Sequence, residues 1–136
     1  MPTLKTFICA GAPIPSSLVS QAQSVLGVKV LSAWGMTETG IATLIGMDDP
    51  DERAINSDGR PLPGVEIKII DEDGLEIGPG KAGKLLVRSS FSFGGYLKRP
   101  HLNNTDSNGW FDTGDIARLD DQGYIRITGR SKDLII

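Results

Sequence analysis

A single change in hydrophobic period constrains the fold of this chain more than any other feature of its sequence. Before about residue 45, the runs LKTFICA and VKVLSAW read as strands, and the stretch between them repeats its apolar residues at helical spacing. In SSLVSQAQSVLG that helix places Leu18, Val19, Ala22, Val25 and Leu26 on one face, with Ser16 or Ser17 as N-cap and Gly27 as the stop. Strand, helix and strand in that order predict a right-handed crossover between two parallel strands. MDDPDERAINSDGRPLPG follows as a polar linker punctuated by Pro and Gly, with no period of its own. From residue 63 the period is two. Val65, Ile67 and Ile69 alternate before a DEDG turn, Leu85 and Val87 alternate in GKLLVRS, and IARLDDQGYIRITG reads as a hairpin across Asp121 to Gly123. The predicted fold class is mixed α/β: a βαβ piece of a parallel sheet at 1–45, a linker at 46–62, and a small antiparallel, barrel-like β subdomain at 63–130.

Composition narrows the partners. At 136 residues, 39% of them hydrophobic, the chain is long enough for one domain with a real core. Its formal charge of −3 supplies no basic surface, so neither nucleic acid nor an anionic membrane is an expected partner. The apolar runs are strand-length and MPTLKTFICA has no charged leader, so no transmembrane segment is predicted and a cytoplasmic location is expected. Cys9, the single cysteine, lies in the apolar run TFICA and reads as a buried structural thiol; the single His101, in a polar stretch, reads as a surface residue. The apolar run Leu134-Ile135-Ile136 stops before completing an element, and a piece of a larger protein is expected.

The second strand runs into AWGMTETG, where oxygen-bearing side chains crowd behind a glycine. Two readings compete: Thr37 or Thr39 caps a short helix, or the turn is a ligand site at the carboxyl end of a parallel strand. GAP at 11–13 follows the first strand as AWGMTETG follows the second, so both turns open at one sheet edge. Downstream, Asp115 follows Gly114 and Arg130 follows Gly129, glycines that let backbone come close to something. GPGKAGK does not qualify as a phosphate-binding loop, because Leu85 stands where Ser or Thr is needed and a strand follows instead of a helix. Asn103-Asn104-Thr105 spells a glycosylation site, which matters only in a secreted chain.

Taken together, GAPIP, AWGMTETG, GKLLVR with GGYLKRP, GWFDTGD, GYIRITGR and SKD, in that order and over nearly the whole chain, resemble the adenylate-forming superfamily. Within it the WGMTE and GAPIP stretches are most similar to medium-chain, alicyclic or aromatic acyl-CoA synthetases. The resemblance implies a carboxylic acid, ATP and coenzyme A as substrates, AMP as a product, and magnesium as cofactor. It implies that Glu38 helps hold the metal and that Thr37 donates to the α-phosphate. Trp34 and Gly35 would lie on one side of the adenine and Gly11, Ala12 and Pro13 on the other. Asp115, with Arg130, would bind the ribose hydroxyls.

The same resemblance makes 131–136 a hinge and the start of a C-terminal domain, with Lys132 at the pivot. It also implies that the phosphate loop and the catalytic lysine lie outside this sequence, so the segment by itself is expected to be inactive. Apolar surface meant for a missing subdomain can drive self-association of the segment, and the oligomeric state of the parent is open. Two alternatives stand beside the ligase: a non-catalytic nucleotide-binding module of the same fold, and an adenylation domain of a peptide synthetase.

Overall fold

The computed structural model describes residues 3–12 and 14–131. Strand β1 (Thr6–Cys9) pairs in parallel with β2 (Lys29–Met36) across the connecting helix α1 (Ser16–Leu26), as the period predicts. Chain β2 then turns back on itself. β3 (Gly40–Leu44) runs antiparallel to it, and after α2 (Asp51–Asn56) the short β4 (Arg60–Pro61) completes a mixed sheet in the order β1-β2-β3-β4. A second sheet follows, with β5 (Val65–Ile70), β6 (Ala82–Ser89), β7 (Phe111–Leu119) and β8 (Ile125–Arg130) antiparallel in sequence order. Its edge strands β5 and β8 are not paired with each other among the described residues, so the antiparallel, barrel-like subdomain is a four-stranded sheet not closed into a barrel.

Three local expectations need correcting. Pro15, not Ser16 or Ser17, caps α1: its extended backbone lets its carbonyl accept from the Leu18 and Val19 N–H groups, and no side chain caps the helix. Gly27 does stop it, in the left-handed conformation. Of the five apolar residues expected on the packed face only Val19 is buried and Ala22 partly so, whereas Leu18, Val25 and Leu26 are exposed. The supposed linker contains α2 and β4. A six-residue helix shows less than two turns of periodicity, and its capping position is a proline that reads as a breaker.

Two cores result. Val19, Val28, Val30, Leu31, Ile45 and Ala54 surround the first, against which Cys9 packs half-buried; Val65, Ile69, Leu85, Val87, Ala117 and Ile125 form the second. The sheets are fastened by a backbone seam. Asp58 N–H donates to the Ile125 carbonyl (2.8 Å), Ile125 N–H returns a bond to the Gly59 carbonyl (2.9 Å), and Ile127 N–H reaches the Asp58 carboxylate (2.8 Å). Thr43 Oγ1 anchors the Asp58 carbonyl from β3 (2.6 Å).

A side-chain plug reinforces the seam. Tyr124, from the β7–β8 hairpin, belongs to the first core; the Arg53 and Arg60 guanidinium groups both lie over its ring, at 4.2 and 4.7 Å from the centroid, and its hydroxyl donates to Asp49 Oδ1 (2.7 Å). Burial pushes the Asp49 carboxyl up, but bonds from Tyr124 and the Gly46 N–H, with the charges of Arg60 and Lys29, outweigh it and hold the group below the usual range. A carboxyl whose pKa is lowered by folding stabilises the fold above its unfolded value, about 3.9, and that contribution is lost as pH falls through the folded one. Asp49→Asn is therefore expected to be less stable than wild type at pH 7, with the gap narrowing below about pH 4. Urea midpoints across pH 2 to 8 would check this, and a gap independent of pH would contradict it.

Candidate functional site

The AWGMTETG stretch is the carboxyl end of β2 and the turn that follows it, not a helix start. Met36, Thr37, Glu38 and Thr39 form the tip of the β2–β3 hairpin, closed by a bond from Thr39 N–H to the Met36 carbonyl (3.1 Å), and Gly40 takes the left-handed conformation beyond it. This disposes of the helix-cap reading. Thr39 is wholly buried, Thr37 is exposed and Glu38 lies between. Gly35 is required for a steric reason: a Cβ there would stand 2.2 Å from the Gly40 carbonyl oxygen, at a bulge between Trp34 and Gly35.

Trp34, Asp115 and Arg130 meet. Asp115 and Arg130 are register partners on β7 and β8, and Arg130 Nε donates to Asp115 Oδ1 at 2.7 Å. The indole N–H of Trp34 crosses from the other sheet to Asp115 Oδ2 at 2.9 Å. Asp115 is only 6% exposed. A buried carboxylate costs several kcal/mol unless partnered, and these two donors supply the partners. Each carboxylate oxygen has two lone-pair sites, so Asp115 retains acceptor capacity beyond these bonds. The glycines before the two charged residues differ in their local setting. Gly114 supplies a positive φ of 71°, fixed by a bond from its N–H to Asp112 Oδ1 (2.9 Å), and a Cβ at Gly129 would meet nothing within 4 Å.

Gly11 and Ala12 form an exposed turn two residues beyond the Cys9–Ser32 register pair, at the end of the sheet to which Trp34 belongs. Pro13 and Lys132 lie outside the described residues. Neither of two cavities, of about 320 and 460 Å³, is lined by Trp34, Glu38 or Asp115. Among the described residues no group of three or more His, Cys, Asp or Glu could hold a metal ion. No helix among those residues is long and apolar enough to cross a membrane.

Sequence reasoning missed Tyr96. Its hydroxyl donates to Glu38 Oε1, and the Glu38 carbonyl accepts from Phe93 N–H (2.9 Å). The bond to Glu38 leads the causes that hold the Tyr96 phenol above its ordinary range, so it remains a donor at neutral pH. The repeated aromatic residues of FSFGGY were the available signal.

The model of the family described as AMP-binding enzyme matches residues 1–97. The medium-chain fatty-acid–CoA ligase of Escherichia coli K12 is 38% identical over 98% of this chain, which covers 24% of that protein. Among solved structures, an ATP-bound MatB from Rhodopseudomonas palustris superposes with a TM-score of 0.89 at 34% identity, over 96% of this chain and 26% of that one. An O-succinylbenzoate coenzyme A synthetase from Bacillus subtilis, in complex with AMP, superposes with a TM-score of 0.85 at 30% identity, covering all of this chain and 28% of its own. The chain spans about a quarter of the length of the curated relatives it matches. Since the family model accounts for well over half of its residues, the chain belongs to the AMP-binding enzymes, the adenylate-forming superfamily.

Proposed function

We propose that the full-length protein carrying this segment is an ATP-dependent acid:CoA ligase. A carboxylate attacks the α-phosphate of ATP, giving an acyl-adenylate and pyrophosphate, and the thiol of coenzyme A then displaces AMP. The observation that most supports this reading is the cluster of Trp34, Asp115 and Arg130. A buried carboxylate already oriented by two donors, with acceptor capacity left, suits a pair of ribose hydroxyls, which need an acceptor that does not move. Trp34 and Gly35 would border the base on one side and Gly11, Ala12 and Pro13 on the other, with Thr37 donating to the α-phosphate.

Magnesium, when bound, supplies charge to offset that developing on the phosphates. Glu38 is our candidate to hold it, because a hard cation needs an anionic oxygen and takes its other ligands from phosphate and water. The resemblance puts the phosphate loop and the catalytic lysine outside the segment, so by itself it is proposed to be inactive. The hinge at 131–136 with Lys132 as pivot, the coenzyme A acceptor and a cytoplasmic location belong to the same proposal.

In the full-length protein, Glu38→Gln is expected to lower magnesium-dependent pyrophosphate exchange about ten- to a hundredfold, the effect of losing one charge-assisted contact. Exchange at the wild-type rate would overturn the assignment of Glu38. Absence of exchange in the wild type with every carboxylic acid offered would overturn the ligase reading itself.

A further inference from the structure

We infer that Tyr96 is a positioning residue for Glu38, fixing one carboxylate oxygen so that the other faces the cation; the inference rests on the magnesium role proposed above. Tyr96 donates to Glu38 Oε1, and Oε2 accepts no hydrogen bond among the described residues. A free glutamate at a hairpin tip samples several rotamers, and ordering it on a cation costs conformational entropy. A donor already bound to one oxygen removes most of that cost before the ligand arrives.

The donor is itself held in place. The Phe93 ring meets the Tyr96 ring edge-on at 4.9 Å and the Phe111 ring edge-on at 5.9 Å. Phe111 is buried at the start of β7, so the aromatic row connects the second sheet to the hairpin tip. Phe93 also binds Glu38 through the backbone, which gives the hairpin tip two attachments to one loop. Gly95 (φ 118°) lets that loop bend back, and Lys98 (φ 59°) is its one left-handed non-glycine among the described residues. An unfavourable backbone of that kind is retained where the surrounding contacts over-determine it.

The placement separates two roles of the ring. Packing against Phe93 needs only the phenyl group; holding Glu38 needs the hydroxyl. Tyr96→Phe in the full-length protein keeps the first and deletes the second. Magnesium would be titrated in pyrophosphate exchange at saturating ATP and acid, and ATP binding measured by calorimetry with magnesium and with EDTA, for wild type, Tyr96→Phe and Glu38→Gln. We expect Tyr96→Phe to require roughly three- to tenfold more magnesium and to lose a similar factor of the magnesium-dependent gain in ATP affinity, with affinity in EDTA unchanged. A shift for Glu38→Gln but none for Tyr96→Phe would overturn the positioning role alone. No shift for either would overturn the magnesium reading beneath it. Loss of ATP affinity by Tyr96→Phe in EDTA would make the hydroxyl merely structural, and would equally overturn the inference.

Discussion

Gly59→Ala should destabilise the protein by about 3 kcal/mol or more, the largest effect expected of a single methyl group in this chain. Gly59 sits at a φ of 96°, and a Cβ there would lie 2.3 to 2.6 Å from the backbone carbon, nitrogen and Cα of Leu44. None of those atoms can yield as a flexible side chain would, since Leu44 is fixed in β3 by its pairing with β4. Relief has to come from moving residue 59 itself, and its carbonyl is the acceptor for Ile125 N–H. The damage should therefore appear where the two sheets join. Gly74→Ala is the control, for its φ of 81° is similarly unfavourable but a Cβ there meets nothing within 4 Å. Urea midpoints give the size of the effect, and hydrogen exchange in peptides covering 120–130 gives its place. The steric argument fails if Gly59→Ala is no worse than Gly74→Ala, or if protection around Ile125 is unchanged.

Asp115→Asn is expected to weaken ATP binding about ten- to a hundredfold in the full-length protein. The amide oxygen can still accept from Trp34, so the sheets stay joined at that point, but the charge paired with Arg130 is gone. Two costs add: a ligand hydroxyl meets a weaker acceptor, and the guanidinium loses its charge-assisted bond to Asp115. Arg130 is more than half exposed at the side chain, so water compensates part of the second cost, and the first should dominate. Calorimetric titration with ATP measures the loss directly. Wild-type affinity in this variant would remove Asp115 from the proposed ribose site.

How much of this was legible depended on sequence separation. Alternation in VEIKII and KLLVRS is a local property, and it identified β5 and β6 because each residue's face follows from its neighbours. Gly27 announced the end of α1 for the same reason. The hairpin tip at Thr37 to Thr39 was misread in one of its two readings because a Thr-Glu-Thr run after a strand has the chemistry of a cap as well as of a turn. Nothing local could reveal that Trp34 binds Asp115 81 residues away, or that Tyr96 reaches Glu38 across 58 residues. These bonds exist because the sheets pack. Motif order supplied Trp34 and Asp115 as site residues without their contact, and it supplied the GGYLKRP stretch without a role for Tyr96.

The seam between the sheets bears on the order in which the molecule assembles. Hairpin β2–β3 pairs neighbours in sequence and can close early, whereas Ile127 must find Asp58 across 69 residues. Closing so long a loop is entropically costly and is repaid only once both sheets have shape. During synthesis, Asp58 and Gly59 therefore wait with open backbone donors and acceptors until the β7–β8 hairpin has left the ribosome. Contacts made after the rate-limiting barrier govern how fast a protein comes apart, not how fast it forms. Weakening the seam should hasten unfolding and leave the folding rate nearly untouched.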